Sequence, residues 1–221
     1  MKRLIFIVLI ALLLAAPVMA ASYSEVLNTT SDGTLGSGNS NVTFPTLFRQ
    51  AGTQYGYTGT SGNTGITASA ADGYYIKYER AGYLFNLTNA SGKLMTSAVF
   101  RECPWTAGSR GLGNVSYTIT SGTTFFGNET LHQADYKNVT NTPLTNTNYT
   151  QPELSPACKN ITLNSAGLLR LNSSNYVPIY LRMAPDVDNS TSGTPEGITW
   201  SASETSTINM AYNEQASDAN K

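Results

Sequence analysis

Chemistry-bearing side chains are few and scattered in this chain. His132 is the only histidine. A serine triad or a zinc site would have to be built on it, yet it lies in the sequon-bearing run N-E-T-L-H-Q-A-D-Y with no second ligand spaced to help it. It reads as a surface histidine. Glu79, Glu102 and Asp135 are the carboxylates that could pair for glycoside hydrolysis, and nothing in their spacing ties any two together. Asp186-Val187-Asp188-Asn189-Ser190 faintly resembles a calcium loop, but the next acid, Glu196, is misplaced and Asn189 opens a sequon. A glycosylated turn is the better reading. Gly108-Ser109-Arg110-Gly111-Leu112-Gly113 lacks the order of a phosphate loop. We therefore expect no catalytic residues, no metal site, no cofactor and no enzymatic activity.

Two residue types carry a stronger signal. Cys103 and Cys158 are the only cysteines. In an exported chain an even count points to one disulfide. Asparagine sequons begin at Asn28, Asn41, Asn86, Asn89, Asn114, Asn128, Asn138, Asn148, Asn160, Asn172 and Asn189, which is 11 of 20 asparagines. That is more than twice what random placement among so many serines and threonines would give, so N-linked glycans are expected on exposed loops. Such density favours an archaeal or eukaryotic secretory route. Charged residues make up only 12% of the chain. Solubility then rests on hydroxyls, amides and sugars, which suits a milieu acidic enough to protonate carboxylates. Thirteen tyrosines, many between Gln54 and Tyr83, could stack on sugars, but half-buried strands also favour them. Strand packing is the preferred reading.

Export itself is read from Met1–Ala20. Lys2 and Arg3 precede an apolar run, Leu4–Ala16, and Val18-Met19-Ala20 offers small residues for cleavage. The run is short for a membrane span of about 20 residues. Cleavage leaves 201 residues with 11 basic against 14 acidic side chains. That length allows one β-sandwich, and the balance argues against nucleic acid.

The elements that position these residues read as strands. Lys159–Met183 divides into three alternating sets: Ile161 and Leu163, then Leu169 and Leu171, then Val177, Ile179 and Leu181. Asn114–Ser121 alternates as cleanly. Tyr74–Tyr78 and Tyr83–Leu87 read as a hairpin about Arg80-Ala81-Gly82, Lys93–Cys103 as a strand, and Val42–Gln50 as an edge strand interrupted by Pro45. Phe125–Pro156 and Ala184–Gly197 read as irregular, Ile198–Tyr212 as a long final strand. No run of ten residues holds a helical period. Ala21–Thr30 holds a short lone strand with Tyr23, Val26 and Leu27, and Ser31–Asn41 has the Gly/Ser/Asn composition of a flexible linker.

The sequence V-P-I-Y-L-R-M-A-P (Val177–Pro185), followed by a loop, Gly197 and an alternating strand ending at Tyr212, resembles the end of secreted Ig-like pilin domains. The spore-coat-U and chaperone–usher pilins share such an ending, and the packaging is similar to that of archaeal thread pilins. The resemblance implies an all-β, Ig-like antiparallel β-sandwich that lacks a strand and is completed by a donor strand from a neighbour. Residues 1–20 would be the cleaved signal, 21–41 the donor strand and linker, and 42–221 the head domain. Tyr23, Val26 and Leu27 would be the donor residues, with Thr205–Tyr212 as the competing donor. The implied function is a structural subunit of a glycosylated extracellular filament, with copies of itself, N-linked glycans, and surfaces or other cells as partners. A monomeric secreted adhesin or carbohydrate-binding protein is the alternative.

Overall fold

The structure is a computed structural model that describes residues 29–49, 54–56, 61–106, 108–122, 131–154, 157–188 and 197–211. The expected signal, Tyr23, Val26 and Leu27, and the sequons at Asn28, Asn128 and Asn189 lie outside them. The fold is all-β, antiparallel and sandwich-like. The strands are β1 Thr29–Val42, β2 Gln54–Gly56, β3 Ser61–Ala68, β4 Tyr75–Asn86, β5 Val99–Glu102 and β6 Pro104–Thr106. They continue as β7 Ser116–Gly122, β8 Val139–Pro143, β9 Tyr149–Thr150, β10 Lys159–Thr162, β11 Tyr176–Met183 and β12 Thr205–Ala211. One large curled sheet runs in the order β6-β12-β3-β4-β11-β7-β8, with β1 added at β4, β2 at β1 and β9 at β7. A two-stranded sheet, β5 with β10, packs against it. Short helices intervene: α1 Phe44–Arg49, α2 Gln151–Leu154, α3 Ser165–Leu171 and α4 Ala184–Val187.

The strand β4 organises the rest. Along one edge it pairs with β1 over ten positions, from Thr29↔Phe85 to Val42↔Tyr75. Its other edge is divided: β3 takes Tyr75 to Glu79, and β11 takes Ala81 to Asn86. The sheet forks there and curls. The alternation of side chains sends the two faces of β4 to different partners. Tyr83 and Phe85 stack edge-on against Phe100 of β5, with centroids 5.4 and 6.2 Å apart. On the opposite face Tyr78 meets Phe44 of α1 and Tyr136 of the 3-10 turn Gln133–Lys137. Both faces being covered, β4 is buried without a break from Tyr78 to Leu84.

Several expectations are corrected. Ser31–Asn41 is no linker but most of β1, and Ser31–Gly38 is buried throughout. Its small residues let it lie under close cover, and its hydroxyls serve as buried acceptors: Ser31 Oγ for Leu131 N at 3.1 Å, Thr34 Oγ1 for Asn63 N at 2.9 Å. Arg80-Ala81-Gly82 makes no turn, because Arg80 is paired in the interior and β4 runs straight through. Val42–Gln50 turns helical at Phe44, which puts Phe44, Leu47 and Phe48 on one buried side. The middle set of Lys159–Met183 is α3: the Asn164 side chain caps it by accepting from Gly167 N at 3.0 Å, and Leu169 points to solvent. β5 begins only at Val99, and β12 only at Thr205. Residues 131–154 hold β8, β9, α2 and a 3-10 turn where irregular chain was expected. β12 is docked between β3 and β6, and Gly65, at φ 148°, leaves no room for a Cβ because Ser206 O would lie 2.1 Å from it.

Candidate functional site

The sequence-predicted carboxylates do not converge. Glu79 pairs with Lys77 at 2.7 Å. Asp135 accepts from His132 N at 2.6 Å and closes a capping box on the 3-10 turn, with exposed His132 as its other half. Glu102, 1% exposed, accepts from Tyr83 Oη at 3.0 Å. Its carboxylate neighbour is one the sequence reading did not single out: Asp32 of β1, also 1% exposed, which stands opposite Tyr83 in the ladder. Burial, reinforced by Asp32 against the hydrogen bonds from Tyr83 and the Cys103 backbone, pushes Glu102 up to about 8. Cys103 and Cys158 are joined as a disulfide next to this pair.

Among the described tyrosines, Tyr75, Tyr78, Tyr83, Tyr117, Tyr136 and Tyr180 are buried core residues, Tyr149 and Tyr176 are half-buried and Tyr74 is exposed. The six buried rings offer no face to a sugar; the side chains of Tyr55 and Tyr57 lie outside the described residues. Among the sequons, the Asn41, Asn89, Asn114, Asn148, Asn160 and Asn172 side chains are exposed, and Asn86 and Asn138 are half-buried.

Asp186 does not open a calcium loop. It is wholly enclosed between two arginines. The pairing Leu181↔Ala81 is the last between β11 and β4. One step further, Arg182 and Arg80 would stand opposite each other on a single face. Like charges in that position repel unless something separates them. Pro185 ends β11, and α4 swings Asp186 back into the gap. Arg80 Nε and Arg182 Nε donate to Asp186 Oδ2 at 2.9 and 2.6 Å, and Arg80 Nη2 to Oδ1 at 2.9 Å. Tyr78 Oη donates to Oδ2 at 2.7 Å. Further guanidinium hydrogens go to backbone carbonyls, Arg80 to Tyr136 O and Phe48 O, Arg182 to Thr140 O at 2.8 Å and Asp186 O at 3.2 Å, and Arg182 Nη1 also reaches Asn141 Oδ1 at 3.5 Å. Arg80 also lies 4.0 Å over the Tyr136 ring.

The electrostatics follow from this packing. Burial by itself would raise the Asp186 carboxyl, but Arg80 and Arg182 outweigh it and hold it at about 2. Burial opposes the charge on Arg80, yet Asp186 keeps it firmly protonated. Burial and the Asp186 charge push Tyr78 well above the ordinary phenol range, so it stays a donor. The cluster floors an open hollow of about 300 Å³ whose mouth carries Arg49 and Lys137. A second, more polar hollow of about 280 Å³ lies between Leu87–Met95 and the end of α3. The arginine–aspartate knot was missed in the sequence because Arg80 looked like a turn residue. The available signal was Arg182 and Asp186 at i,i+4 across a proline.

Among the described residues no group of three histidine, cysteine or acidic side chains could hold a metal, and no helix is long and apolar enough to cross a membrane. The fold and its buried clusters thus define an all-β, disulfide-linked, antiparallel sandwich-like protein. No protein-family model matches the chain, and no curated protein matches it in sequence.

Proposed function

We propose that this protein is a structural subunit of a glycosylated extracellular filament, built by exchange of a β-strand between copies of an Ig-like head. The observation that carries the reading is β1. It pairs with β4 over ten positions and spans the fork in the sheet, yet it is joined to α1 by Thr43 alone. A strand at one end of its domain, held by a long ladder, is the kind of element that can be supplied in trans. On this reading the exchanged segment is Thr29–Val42, extended by Tyr23, Val26 and Leu27 where the donor was first expected. Leu35, fully buried, is its apolar anchor. The exposed sequons would carry the glycans; Asn41 lies within β1, next to its last residue. Archaeal thread pilins and chaperone–usher pilins offer an analogy.

The test uses the full chain exported by a host that glycosylates asparagine. Electron microscopy should show filaments. A chain lacking residues 21–42 should give none, and should bind a synthetic peptide spanning Thr29–Val42. Single monomers of the full chain in microscopy and sedimentation would overturn the proposal. So would filaments of normal length from the truncated chain.

A further inference from the structure

We propose that the hollow above Arg80 and Arg182 is a binding site for a small oxyanion, namely a carboxylate, sulfate or phosphate group. The first argument is charge. Arg49, Arg80, Lys137 and Arg182 line the hollow, and Asp186 is the one acid among them. The side chains of Arg80 and Arg182 are 3% and 2% exposed, and Asp186 is fully enclosed. Along the lining itself four cationic side chains stand against one carboxylate. Asp135, buried on the adjoining turn, accepts from His132 N and is not part of the lining. A surplus of positive charge of this kind is relieved when an anion approaches.

The second argument is preorganisation. Both guanidinium groups are locked by backbone carbonyls and Asp186, so they need no rearrangement to present positive potential to the hollow. At the mouth Arg49 lies 5.4 Å from the centroid of the Phe48 ring, and Lys137 is exposed at the end of the 3-10 turn. Phe48 and Val139 supply apolar wall, and Asn141 a side-chain amide. Wall of that kind lowers the local dielectric and strengthens each charge contact. A volume of about 300 Å³ admits a tetrahedral anion or the carboxylate of an acidic sugar.

The site is independent of filament assembly and is tested on the full chain. The probes are sodium sulfate and sodium glucuronate, titrated calorimetrically at constant ionic strength with sodium chloride as the balancing salt. Each probe should bind saturably at one site per chain. The exposed pair Arg49→Gln and Lys137→Gln, changed together, should weaken binding by about tenfold or more while the chain stays folded by circular dichroism. Tighter binding of glucuronate than of sulfate would assign the anion to a sugar; tighter binding of sulfate would assign it to a free ion. Absence of saturable heat from both probes would overturn the proposal, as would equal affinity in the double variant.

Discussion

Removing the carboxylate of Asp186 would leave two guanidinium groups packed together in the interior. Asp186→Asn keeps the volume and removes the charge. We expect it to cost about 3–5 kcal/mol in urea unfolding, the range for breaking one partner out of a buried ionic cluster. A loss below about 1 kcal/mol would show that solvent reaches the arginines. Glu102 works in the opposite sense. Its folded-state pKa stands at about 8, above the ordinary 4.5. The folded chain therefore keeps a proton that the unfolded chain has released, and stability falls as pH rises from 4.5 towards 8. Asp186 is depressed from 3.8 to about 2, so its contribution is present above 3.8 and lost as pH drops through 2. Together they place the most stable range of these two groups at roughly pH 4 to 5. Glu102→Gln should flatten the alkaline side of the profile, gaining on the order of 3 kcal/mol at pH 9. An unchanged slope between pH 5 and 9 would mean that Glu102 is ionised in the fold.

At the scale of elements, the legibility of the sequence tracks side-chain size. β7 is readable because Tyr117 and Ile119 alternate with Ser116, Thr118 and Thr120, and β11 because Val177, Ile179 and Leu181 recur at every second position. β1 is not, because a strand made of Ser31, Gly33, Gly36, Ser37 and Gly38 has the composition of a linker; only its cover makes it a strand. α3 misleads because Leu169 and Leu171 alternate. The decisive marks are the Asn164 cap and the three-residue spacing of Leu168 and Leu171, which are half-buried and buried, while Leu169 is 73% exposed. Of the site, the Arg182–Asp186 spacing was readable, whereas Arg80 joined it only through the β4–β11 register. The importance of β1 has its own test. Leu35→Ala should cost about 2–5 kcal/mol if β1 is seated in a closed core. Hydrogen exchange should show amides of Thr34 to Gly38 among the slow ones. Exchange within seconds would mean that β1 spends its time off β4.

For the molecule as a whole, the Cys103–Cys158 link spans a separation of 55 residues. Closing a loop of that length stabilises by roughly 4 kcal/mol on the chain-entropy view. It also fastens the small sheet, because Cys103 follows β5 and Cys158 precedes β10. Reduction under native conditions should therefore lower the melting temperature sharply, and an unchanged transition would show that the β5–β10 pairing suffices alone. Glycan occupancy should follow exposure. Asn41, Asn89, Asn114, Asn148 and Asn160 are expected to be filled in most molecules. Asn86 should be filled less often, being half-buried with its amide donating to Tyr176 Oη at 3.2 Å. Site-resolved glycopeptide mapping reads this directly, and full occupancy at Asn86 would argue that sugars are attached before the chain folds.

The register of β1 carries one more consequence, for the shape of anything assembled by exchanging it. Val42 pairs with Tyr75, so the root of β1 sits at the Tyr75 end of β4. A copy that accepts a neighbour's strand in this direction receives that neighbour's body at the same end from which its own strand departs. Two copies can then satisfy each other and stop, as a symmetric pair with no vacant groove. Growth needs the second copy to be offset in angle. The ladder slips between Gly38 and Val42, where the strand can bend. Angle at that slip, rather than strength of pairing, decides between a capped doublet and a helical thread.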